Sequence, residues 1–112
     1  MSPAELDAAC RALPGVTMVI QWGADAVYKV CDRIFAITGP TGGVSFKATD
    51  IAYEALTDSG RARPAPYLAR AKWVYFDHLA DLDADEVRGW LATAHALVAA
   101  KLTRAERTEI GL

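Results

Sequence analysis

Carboxylates alternate along Asp81-Leu82-Asp83-Ala84-Asp85, which is how an oxygen-ligand calcium loop opens. Such a loop needs glycine at its sixth position for a sharp turn and a bidentate glutamate at its twelfth, and this chain has Glu86 and Ala92 there. The acidic run is better read as a helix start, where negative side chains stabilise exposed amides and the positive end of the helix dipole. Asp77 and His78 are neighbours at a strand end, where successive side chains point opposite ways, so they do not make an acid–base dyad on their own. His95 falls beside an apolar helical stripe and reads as a core-edge residue; neither histidine has a ligand at metal-site spacing. Ser2, Ser45 and Ser59 lack the G-x-S-x-G setting of a nucleophile elbow. Gly39-Pro40-Thr41-Gly42-Gly43 lacks the Lys-Ser/Thr of a phosphate loop and leads into a strand rather than a helix. With no acid, base and nucleophile converging, the expectation is a non-enzymatic protein without metal or cofactor.

The cations offer more. Lys29, Arg33 and Lys47 fall on or beside the central strands. Arg61, Arg63, Arg70 and Lys72 cluster ahead of the last strand, interleaved with Tyr67 and Trp73. Long cationic side chains contact phosphates and aromatic rings stack on bases, so this set is the candidate nucleic-acid surface. The competing reading is a solvated rim around a buried aromatic.

These residues need elements to position them. Ser2-Pro3-Ala4-Glu5 is a capping-box helix start, and Pro14-Gly15 stops that helix. Val16–Trp22 reads as a first strand. Val27–Thr38 reads as a hairpin. With Cys31 and Asp32 as its turn, Tyr28 lies opposite Phe35, Val30 opposite Arg33 and Ala26 opposite Ile37. That pairing puts Tyr28, Val30, Phe35 and Ile37 on the core face, and Val27, Lys29, Ile34 and Ala36 on a half-wet face. Val44–Ala48 is a fourth strand with Phe46 inward, Asp50 caps a short helix through Leu56, and Thr57–Pro66 is loop. Lys72–Phe76 is the last strand. Asp83 to Glu86 open a long helix with an apolar stripe of Val87, Trp90, Leu91, Ala94, Leu97, Val98 and Leu102. Thr103 to Glu106 either cap a final turn or lie in a frayed tail. The order is helix, four strands, helix, strand, helix. Short connections favour an α+β fold, an antiparallel sheet of about five strands against helices.

The chain has 112 residues, enough for one domain, residues 1–112, with its own core. A net charge of −2 argues against a protein that holds nucleic acid by bulk charge, but leaves room for a local basic patch. Cys10 and Cys31 are too few for a zinc ribbon and too far apart for a C-x-x-C pair. No stretch approaches a membrane span, and the first ten residues do not read as a secretory signal, so the expected location is the cytoplasm.

Five segments in order resemble the MmcQ/YjbR family of small bacterial proteins. They are Trp22-Gly23, VYKVCDRIFAI from Val27, Phe46-Lys47, PAPYLARAKWV at Pro64–Val74 and AHALVAAKL at Ala94–Leu102. The resemblance runs from about Leu6 to Leu102 and implies a fold like that of bacterial frataxin CyaY, a curved antiparallel sheet backed by helices. It also implies DNA binding through a "double wing" of hairpins. By position the family's strand lysine is Lys29, the basic residue opening the next strand is Arg33, the second lysine is Lys47 and the aromatic is Trp73. Many relatives have Gly or Asn in the hairpin turn where this chain has Cys31-Asp32, a poor fit to a tight turn, which predicts a longer or bulged one. Iron handling would need a dense acidic ridge on the first helix, which offers only Glu5 and Asp7. The expectation is therefore a monomeric protein whose partner is DNA, contacted weakly and largely at phosphates. The alternative is a module binding a protein or small ligand on the outer sheet face.

Overall fold

The computed structural model describes residues 1–66 and 68–112. Helix α1 (Pro3–Arg11) starts at the expected capping box: the Glu5 amide donates to Ser2 Oγ at 3.1 Å and the Ser2 amide to Glu5 Oε1 at 3.0 Å. Strands β1 (Val16–Gln21), β2 (Asp25–Val30), β3 (Arg33–Thr38) and β4 (Val44–Lys47) follow, then helix α2 (Asp50–Asp58). Strand β5 (Arg63–Pro64) and strand β6 (Trp73–Phe76) precede the long helix α3 (Ala84–Ala99) and the short helix α4 (Arg104–Glu109). The sheet is antiparallel in the order β1-β2-β3-β4-β6-β5. This is the expected α+β architecture with one strand more, because Arg63 and Pro64 pair with Tyr75 and Val74 inside what reads as loop. Two residues, one of them proline, leave no strand signature in sequence.

The hairpin pairing departs from expectation at one point. Val30 faces Arg33 and Lys29 faces Ile34, but Tyr28 faces Ala36 and Val27 faces Ile37, with the register shifting between Tyr28 and Lys29. Phe35 is the extra residue of a β-bulge. Beyond a bulge every side chain changes face. So Ala36 joins Phe35, Tyr28 and Val30 in the main core, while Ile37 turns to the outer face with Val27. The turn is tight rather than long: Cys31 and Asp32 both take positive φ, 47° and 63°, as a two-residue type I′ turn requires.

The sheet's inner face packs on α1 and α3. Phe46, Phe76 and Trp90 stack with centroids 5.1–5.9 Å apart. Tyr28 donates to Asp7 Oδ1 at 2.9 Å, tying the sheet to α1. His95 is a core-edge residue, buried edge-on against Phe35 with Nε2 2.8 Å from the Pro14 carbonyl oxygen. Helix α2 is capped one residue earlier than expected, by Thr49, whose hydroxyl accepts from the Ala52 amide. Asp83 caps α3 by accepting from the Glu86 amide, so the alternating carboxylates serve a helix start. The last residues form α4 behind a Thr103–Glu106 capping box.

Candidate nucleic-acid interface

Register fixes what lies on the outer face. Val19, Val27, Ile37, Ser45, Tyr75 and Arg63 form one row across all six strands. Lys29 is two residues from Val27 and Lys47 two from Ser45, so alternation brings both lysines to this face, toward the end where the β2–β3 hairpin turns. Trp73 is directly opposite Lys47.

Lys47 is half-buried and donates to the Ala71 carbonyl oxygen at 2.7 Å. That uses one of its three protons and leaves two for an anion. Burial, and next the nearby positive charge of Lys101, hold the Lys47 ammonium below the usual lysine range, with Asp50 partly opposing them. This end of the sheet carries both signs: Asp32, Glu106 and Glu109 gather around the hairpin turn and Cys31, while Lys47 and Lys101 lie near each other on the β4 side. Lys72 adopts φ 63° at the end of the 3₁₀ turn Ala69–Ala71 and sets its ammonium 5.0 Å from the Tyr53 ring centre. Its carbonyl accepts from the Ala48 amide, which fixes the turn beside Lys47. Arg70 is exposed on that turn, and neither it nor Lys29 makes an ion pair among the described residues.

The other sequence candidates stand apart from this group. Arg61 is held by Glu86 at 2.7 and 3.1 Å and lies over Trp90; Arg63 is held by Asp77 at 2.6 Å and lies over Tyr75. Their guanidiniums are already committed to carboxylates. Arg33 is exposed at the hairpin turn, close enough to Glu106 to help lower its pKa after the larger effect of the Thr103 cap. Trp73 is only 5% exposed, so it does not present a ring to a base; its backbone bonds to Ala65 and Leu68. Tyr67 lies outside the described residues. Among the described residues the exposed aromatic is Trp22, 64% accessible at the β1–β2 turn. In sequence Trp22 stands at the end of a strand, which gives no cue to its exposure.

Trp22 also lines a groove of about 490 Å³ on the outer face, with Asp25, Ile37, Ser45 and Tyr75 and the Gly39–Gly43 loop as other walls. Gly43 is needed there, since a methyl group at this position would collide with the Tyr75 hydroxyl. Among the described residues no three His, Cys, Asp or Glu side chains come together as a metal site, and no helix is long and apolar enough to cross a membrane.

Fold and site together define a small α+β sheet protein with a lysine-bearing outer face. A family model described as YjbR matches residues 11–97, and the chain belongs to that family. It is similar over its length to the crystal structure of Deinococcus radiodurans protein DR2400, whose domain is named DUF419. The TM-score is 0.82 at 26% identity, covering 96% of this chain and 86% of that one. No curated protein matches the chain in sequence.

Proposed function

We propose that this protein binds nucleic acid, DNA in the first instance, through phosphate contacts from Lys29, Lys47, Arg70 and Lys72. The observation that carries the reading is that Lys29 on β2 and Lys47 on β4 share one sheet face, with the Arg70–Lys72 turn beside Lys47, and that none of them has a carboxylate in an ion pair among the described residues. Arg33 can add a contact at the hairpin tip, while Arg61 and Arg63 would first have to leave Glu86 and Asp77. With no side chain positioned to read base edges, binding is backbone-directed, salt-sensitive and indifferent to sequence. The role is binding rather than catalysis. Two free cysteines suit a reducing compartment such as the cytoplasm.

A second reading has its own observation, the outer-face groove with Trp22 and Tyr75 in its walls, whose size suits a small ligand. Amide chemical shifts recorded with a short duplex at low salt separate the two. Shifts centred on residues 29, 47 and 70–72 support phosphate binding there. Shifts confined to residues 22–25 and 37–45, or none, count against it.

A further inference from the structure

The two edges of the sheet are built differently. Strand β5 closes one edge with two residues, one of them proline, packed beside α2. Short, proline-bearing edges resist pairing with another chain. Strand β1 closes the other edge with six residues, Val-Thr-Met-Val-Ile-Gln, without a charge, a proline or a bulge. It pairs only with β2, so the amides and carbonyls of its other side face outward. Val19 and Ile20 on this strand are 40% and 60% exposed, and Trp22 just beyond it is 64% exposed. They are three of the five large exposed apolar side chains among the described residues.

We infer that β1 is a homodimerisation edge, pairing antiparallel with β1 of a second copy to form one continuous sheet. The strand is complementary to itself when Val19 sits on the two-fold axis. Met18 then faces the partner copy's Ile20 on the helix side of the sheet, and Thr17 faces its Gln21 on the outer side. Apolar residues meet apolar ones, polar meet polar, and no like charges oppose each other, as an isologous interface requires. A six-residue strand is about 20 Å long, so the contact falls in the small, weak class of interfaces. A contact of that size predicts a monomer in dilute solution and a dimer that builds up with concentration. This inference is independent of the phosphate-binding reading.

Sedimentation velocity between about 10 µM and 1 mM tests it. The weight-average mass should rise from 12.1 kDa toward twice that value. Val19→Lys, which sets two ammonium groups opposite each other on the axis, should keep the protein monomeric throughout, with circular dichroism confirming the fold. In a Cys31→Ser background, Val19→Cys should form an intermolecular disulfide on mild oxidation, since directly opposed strand residues lie within disulfide reach. Thr17→Cys, whose mate is Gln21, should form far less. A constant mass of 12.1 kDa, a dimer that survives Val19→Lys, or equal cross-linking of the two cysteine variants overturns the inference.

Discussion

Replacing the Cys31-Asp32 turn with Asn-Gly should make this protein more stable. Both residues hold positive φ with a Cβ attached, at 47° and 63°. Left-handed backbone costs an ordinary L-residue roughly 1–2 kcal/mol, less for Asp and Asn, whose short polar side chains tolerate it. Asp32→Gly removes the steric part but gives back about 0.4–1 kcal/mol through the freer unfolded chain. Cys31→Asn gains a few tenths more, and the long 4.0 Å contact from Cys31 Sγ to the Glu106 carbonyl is weak enough to lose. The net expectation is about 1 kcal/mol, or about 4 °C in Tm for a chain of this size. Denaturant unfolding should show a higher midpoint with an unchanged slope. Lys29 and Arg33 keep their places while the Asp32 carboxylate beside Arg33 is lost, so DNA affinity should be unchanged or slightly higher, never lower. A double variant that is no more stable, or less, would refute a type I′ turn at this position and with it the register derived for the hairpin.

Other outcomes follow from the same structure. Phe46→Ala should cost about 3–5 kcal/mol, since it removes a fully buried ring that stacks on both Phe76 and Trp90, and thermal melts will register it. Burial pushes the Cys10 thiol up to about 12 from an ordinary 9.0, and burial followed by the Asp7 hydrogen bond also raises Tyr28. Both groups keep their protons in the fold longer than in the unfolded chain. Stability should therefore be full below about pH 9 and fall as pH climbs toward 12, with Cys10 unreactive to thiol reagents until unfolding. Arg61→Ala should change DNA affinity by less than about threefold, whereas Lys47→Ala should weaken it more, because Arg61 is already paired with Glu86 and Lys47 has protons to spare. In a fluorescence titration, equal losses from the two variants would contradict the division drawn here.

Local sequence rules reached every element but β5, because the others each have a local cause. Ser2 and Glu5 cap α1, Asp83 caps α3, and apolar spacing marks the faces of both. The bulge at Phe35 was not legible, since a bulge is settled by how two strands and the core fit together rather than by the bulged residue. Expecting Ile37 inside and Ala36 outside was the direct consequence. The sequence brought seven cations and Trp73 into one candidate set. What it could not show was pairing: Glu86 is 25 residues from Arg61 and Asp77 is 14 from Arg63, and those carboxylates take the two arginines out of the set. Nor could it show that the aromatic roles exchange, with Trp73 buried and Trp22 exposed.

The central claim is best tested by following a labelled duplex from 50 to 200 mM salt with the parent protein and with Lys29→Glu plus Lys47→Glu. Four phosphate contacts give a slope of log K against log salt near −3.6, an affinity loss of about 150-fold over that range. Leaving two contacts halves the slope and reduces the loss to about 12-fold, on top of much weaker binding throughout. Affinity that is flat with salt, or a slope unchanged by the two substitutions, would contradict phosphate binding by this face.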